Sequence, residues 1–186
     1  QTGGIGRTGL AVGPISNFGS VVVNGVRYDT SAASFTVDDM PGTEADLAVG
    51  QVVIIIGVID ADGLNGSADE VIYDDALEGP ISAIDVGAGT ITVLGQTVII
   101  DSGTSFDDDF AVNGIEGLQV NDVVEISGFV SSDGSIIATR IERDDDNDEF
   151  ERKGIVESLD TSALTFSLGN LVVDYSAAVL EDFPGG

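Results

Sequence analysis

The sequence repeats itself. Val49-Gly50-Gln51-Val52-Val53 returns as Val120-Asn121-Asp122-Val123-Val124, Gly57 as Gly128 and Asp62-Gly63 as Asp133-Gly134, each 71 residues later. Gly13-Pro14-Ile15-Ser16 returns after 66 residues as Gly79-Pro80-Ile81-Ser82, and Val23-Asn24-Gly25 returns after 70 as Val93-Leu94-Gly95. The offset holds through the second half of the unit and slips only in Gly- and Asp-rich stretches. That is the mark of a duplicated unit with loop insertions, and such a repeat decides the architecture before anything else does. A third copy then starts: Gly154-Ile155-Val156-Glu157-Ser158-Leu159-Asp160 answers the stretch from Gly79, and Thr165-Phe166-Ser167-Leu168-Gly169 answers that from Ile91. The 186 residues hold no third counterpart of the 120–141 stretch. The division is therefore a Gly-rich segment 1–12, a repeat 13–78, a repeat 79–143, an acidic linker 144–152 and a partial repeat 153–186.

Each unit reads as strands. Val21-Val22-Val23 and Val26-Arg27-Tyr28 flank Asn24-Gly25, the strongest short hairpin signal, and Thr90 to Val93 and Thr97 to Ile100 flank Leu94-Gly95-Gln96 in the same way. Val123 to Val130 and Ile136 to Ile141 form a second hairpin around Asp133-Gly134. Between the two hairpins, 113–118 and its counterpart 43–47 have room for one helical turn. Strand, hairpin, short turn of helix, hairpin over about 65 residues is the plan of a five-stranded Greek-key barrel of the OB type. The fold class expected is all-β: two complete barrels, one partial barrel and very little helix. Gly57 and Gly128, each inside a long apolar strand, are where that strand must bend to close the barrel.

The run Gly3-Gly4-Ile5-Gly6-Arg7-Thr8-Gly9, the stretch from Gly13-Pro14-Ile15 to Val26-Arg27-Tyr28, Gly79-Pro80-Ile81 and Ala138-Thr139-Arg140-Ile141-Glu142 together resemble bacterial tandem-repeat proteins of the DUF5666 family. The resemblance spans nearly the whole chain. It implies an exported protein, often lipid-anchored, built of small β-barrel repeats, and it supplies no catalytic residues to carry over.

Composition removes whole classes of chemistry. Cys and His are both absent, so there is no disulfide, thiolate nucleophile, imidazole ligand or Ser-His-Asp triad. With 33 acidic against 6 basic residues the net charge is −27, the wrong sign for nucleic acid or an anionic membrane. The longest apolar run, Val52 to Ile59, is far below the roughly 20 residues of a membrane helix. The acids lie between apolar runs rather than replacing them, so a core and an anionic surface coexist. Such a surface suits high salt, where self-repulsion is screened, or a coat that collects cations.

Three constellations have chemical potential. Asp60, Asp62, Asn65 and Asp69 offer hard oxygens in a Gly-bearing loop, the ligands Ca²⁺ prefers, although their spacing is not that of an EF-hand and a hairpin turn uses the same residues. Glu125 interrupts an otherwise apolar strand where the other repeat has Ile54, and reads as an outward-facing position. With 33 acids, carboxylate pairs for glycoside hydrolysis carry no specificity, and glycan binding lacks Trp platforms. The third constellation is the partial repeat, expected as strands over 152–160, 164–168 and 171–175 with an open edge that templates pairing. Ile5, Leu10 and Val12 of the N-terminal segment, and Leu171, Val173 and Tyr175 on the open side, are the expected contacts of strand addition between copies. The sequence thus points to a non-enzymatic, extracellular or cell-surface structural protein that pairs with copies of itself and needs no cofactor. The alternative is a binding module for divalent cations or glycans. If the acidic surface is coupled to stability, the melting temperature will rise from low salt to molar salt; a flat response uncouples the two.

Overall fold

In the computed structural model, residues 7–17, 20–144 and 150–179 are described. Unit one comprises β1 (Arg7–Pro14), β2 (Val21–Val23), β3 (Val26–Asp29), the short pair β4 (Ser34–Val37) and β5 (Met40–Gly42), then β6 (Val52–Ile59) and β7 (Asn65–Tyr73). Unit two repeats it as β8 (Leu77–Asp85), β9 (Thr90–Val93), β10 (Gln96–Ile99), β11 (Ser105–Phe106), β12 (Val123–Val130) and β13 (Ile136–Arg143). Unit three has β14 (Val156–Asp160), β15 (Thr165–Leu168) and β16 (Leu171–Asp174). The only helical turns among the described residues are single 3₁₀ turns at Glu44–Asp46 and Ile115–Gly117, where one turn was expected. No helix of the described chain is long and apolar enough to cross a membrane.

Pairing in unit two runs β10-β9-β8-β12-β13, and a parallel β10–β13 contact closes the ring. First-second-third-fifth-fourth around a closed sheet is the expected OB-type order. Unit one has the same order, β1-β6-β7-β3-β2, with β3 parallel to β7 and an Ile15–Val23 bridge between first and second strands. Both first hairpins turn on two residues of positive φ, Asn24-Gly25 (52° and 79°) and Leu94-Gly95 (45° and 74°). This type I′ geometry matches the right-handed twist of the strands it joins. Each barrel has its own core: Ile15, Val23, Tyr28, Val53 and Ile55 in one, Leu77, Ile91, Ile126, Ile136 and Ile141 in the other.

Two expectations meet the structure directly. The bends fall at the two glycines, where the β6–β7 register shifts between Ile56 and Gly57 and the β12–β13 register between Ser127 and Gly128. The N-terminal segment is different. From Arg7 onward it is the first strand of unit one, paired antiparallel to β6 from Arg7–Ile59 to Pro14–Val52, not a free arm outside the units. Its backbone completes the first barrel just as β8 completes the second. Ile5 lies outside the described residues.

At the bends the neighbouring backbone fills the space a side chain would need. A Cβ on Gly57 would stand 2.1 Å from the Ser67 carbonyl oxygen, and one on Gly128 would stand 2.4 Å from that of Ile137. Gly128→Ala is expected to cost about 1–3 kcal/mol in urea unfolding through overpacking against an unyielding main chain. An unchanged midpoint would show that the crossing is not tight.

Candidate functional site

Strand alternation puts Glu125 and Ser127 of β12 on the outside of barrel two, because Val124 and Ile126 between and beside them enter the core. Glu142 and Arg140 of β13 stand opposite them as cross-strand partners. Barrel one covers all four. Gln51 Nε2 donates to Glu142 at 2.7 Å, the Val52 amide to Ser127 Oγ at 2.7 Å, and Arg140 to the Val49 carbonyl at 3.1 Å. The Tyr73 hydroxyl donates to Glu125. Arg140 also pairs with Glu142 at 2.9 Å. Glu125 therefore faces outward from its barrel, as expected, yet sits inside a joint between barrels.

Beside the joint is a cavity of about 670 Å³ whose lining includes Asp38, Asp75, Glu78, Glu125 and Glu151. Main-chain bonds between Glu78 and Glu151, 2.8 and 3.2 Å, stitch the far end of the acidic linker onto β8, and Leu77 bridges to Arg152. This brings Lys153 to 3.1 Å from Asp74, 3.1 Å from Glu151 and 3.7 Å from the buried Asp75. The linker residues 145–149 lie outside the described residues.

Among the described residues Lys153 is the one cation paired with Asp74, Asp75 and Glu151, so the carboxylates outnumber the positive charge and the protons respond. Burial pushes the Glu125 carboxyl up to about 8, with Glu142, Asp38 and Asp75 adding to it against the lowering effect of the Tyr73 bond. Burial likewise takes Glu78 to about 7, helped by its hydrogen bond with Asp144, and Asp75 to about 6. Asp38 is raised by burial as well. The Tyr73 hydroxyl is raised, by burial first and by the Glu125 charge second. For Lys153 burial pulls downward, but its bonds to Glu151 and Asp74 outweigh it and hold the ammonium above its ordinary value. Chemically, the arrangement stores protons near neutral pH.

The other candidates fall elsewhere. Asp62 spends both carboxylate oxygens on its own hairpin, accepting the Leu64 and Asn65 amides at 2.8 and 3.0 Å and the Asn65 side chain at 2.7 Å. Asp69 lies four residues beyond Asn65 on β7, about 13 Å along the strand, so it does not join Asp60, Asp62 and Asn65. Among the described residues no three acidic side chains converge as metal ligands. Leu10 and Val12 stand on the outer side of β1, 65% and 42% exposed. Leu171, Val173 and Tyr175 run along β16 and just past it, with Tyr175 against the Phe166 ring at 5.8 Å. Sequence reasoning did not reach Tyr73, Asp75, Glu78 or Lys153. The available signal was Glu125 standing where the first repeat has isoleucine.

A family model described as a domain of unknown function, DUF5666, matches residues 12–71 and again 78–142. The two matches coincide with the two barrels and cover well over half of the chain, which therefore belongs to the DUF5666 family, as the resemblance implied. No curated protein and no solved structure matches the chain.

The joint makes stability depend on pH with a definite sign. A carboxyl whose folded pKa is raised keeps its proton where the unfolded chain, at 4.5 for Glu125, has released it. Its contribution is therefore complete below the unfolded value and is lost as pH rises through about 8. Glu125→Gln imitates the protonated acid and keeps the bond to Tyr73. Its melting temperature should match the wild type near pH 4.5 and exceed it increasingly up to about pH 9. A constant difference across that range would overturn the assignment.

Proposed function

We propose that this DUF5666 member is a non-enzymatic, exported structural subunit of the extracellular space or cell surface, and that it assembles with copies of itself by strand addition at unit three. The observation that carries this reading is the three-stranded sheet β14-β15-β16, paired with no other described strand. It exposes Val156 (44%), Leu159 (58%) and Val172 (69%), with Ile155 (84%) just ahead of β14. In units one and two the corresponding edges are taken by the hairpins β6–β7 and β12–β13. The complement that fits unit three is accordingly a strand pair, one strand antiparallel to β14 and one parallel to β16. Arg7–Pro14 is already engaged with β6, so that strand is not the free donor. The hydrogen-bonded joint between barrels one and two favours a load-bearing role, since it fixes two domains through both side-chain and main-chain groups. An acidic surface of net charge −27 suits surroundings whose salt screens it.

Sedimentation velocity over a wide concentration range tests the reading. The wild type should show concentration-dependent high-mass species, and Leu159→Lys with Val172→Lys should lower the average mass at every concentration. Identical mass distributions for wild type and variant would overturn it.

A further inference from the structure

The joint between the barrels occupies a surface that barrel one also possesses. The two second hairpins pair in the same rows: Ile54–Ile72 and Ile56–Glu70 in unit one, Glu125–Glu142 and Ser127–Arg140 in unit two, each with its register shift one step further on. The polar positions that receive barrel one thus correspond, in barrel one itself, to Ile54, Ile72, Ile56 and Glu70. Strand β1 widens this face, placing Val12 beside Ile54 and Leu10 beside Ile56. Val53 and Ile55 point into the core, so their neighbours Ile54 and Ile56 point away from it. The opposite half of the joint is duplicated as well. Val49, whose carbonyl accepts from Arg140, corresponds to Val120, which is 50% exposed in barrel two.

We propose that the outer face of barrel one is an interface between copies, on which the Val120 end of barrel two of another molecule seats, repeating in trans the joint that each chain makes in cis. The difference in chemistry fits the difference in connectivity. In cis the barrels are tethered by the few residues between Tyr73 and Leu77, so association costs no translational freedom and a polar joint suffices. In trans that freedom must be given up, and burial of an apolar face is the term that offsets it. The contact joins two different faces of one chain, so it propagates head to tail. The inference rests on the reading of the chain as a self-assembling subunit and adds to it a second surface, remote in sequence from unit three.

The test uses the full chain carrying Leu159→Lys and Val172→Lys, which disables the sheet of unit three. In sedimentation velocity this background should still show concentration-dependent oligomers. Adding Leu10→Lys and Val12→Lys, or instead Val120→Lys, should reduce it to monomers, and all three positions are exposed enough to leave the fold intact. Mixing the two monomeric variants should restore dimers, because one pair of complementary faces survives. A background that is already monomeric, added lysines without effect, or a mixture that stays monomeric each overturn this interface. A background that assembles like the wild type and is dispersed by Leu10→Lys with Val12→Lys supports it while removing the role of unit three.

Discussion

A β unit of about 65 residues holds a core only if its sheet closes, because an open sheet this small leaves too much apolar surface in water. In both barrels closure depends on one parallel contact, β3 with β7 and β10 with β13. Before that contact the fourth strand shifts register against the fifth at Gly57 or Gly128, a bulge that bends the strand. The described residues of unit three form the first three strands of the same pattern, β14-β15-β16. Its β15–β16 ladder is regular from Thr165–Asp174 to Leu168–Leu171, yet Leu168 is the only apolar side chain of its described residues that is buried.

With the backbone settled by closure, the outer faces were left to diverge. One row of positions holds isoleucine in the first barrel and carboxylates in the second, on strands of the same register. Burying a carboxylate is costly unless it is paired or neutralised. Here both happen: Tyr73 supplies a hydrogen bond to Glu125, and the raised pKa lets the group remain protonated at neutral pH. Fold and interface are thereby separable, which explains how one duplicated scaffold carries a polar, proton-holding contact on one copy and an apolar surface on the other.

What the residues announced was local. Asn24-Gly25 named its hairpin, the inserted glycines named the bends, and 113–118 named a single turn of helix, because each of these is decided within a few bonds of the residue. The joint was decided elsewhere. Gln51 and Glu142 are 91 positions apart, and nothing in either residue's neighbourhood points to the other. Asp62 was ambiguous for a different reason: an oxygen suited to a cation is equally suited to the amides of its own turn. The strand β1 was hidden because its pairing is main chain to main chain. Glycines at 9 and 13 weaken the side-chain alternation that marks a strand without weakening the ladder.

Lys153 is the only lysine in the sequence, and it is clasped between Asp74 and Glu151 beside the linker's return to β8. An amine nucleophile needs its free base, and those two carboxylates keep this one protonated. The chain therefore carries a single side-chain handle for acylating reagents, muffled while the linker is docked. The rate at which an activated ester labels it would report how firmly Asp74 and Glu151 together hold it, without any engineered probe.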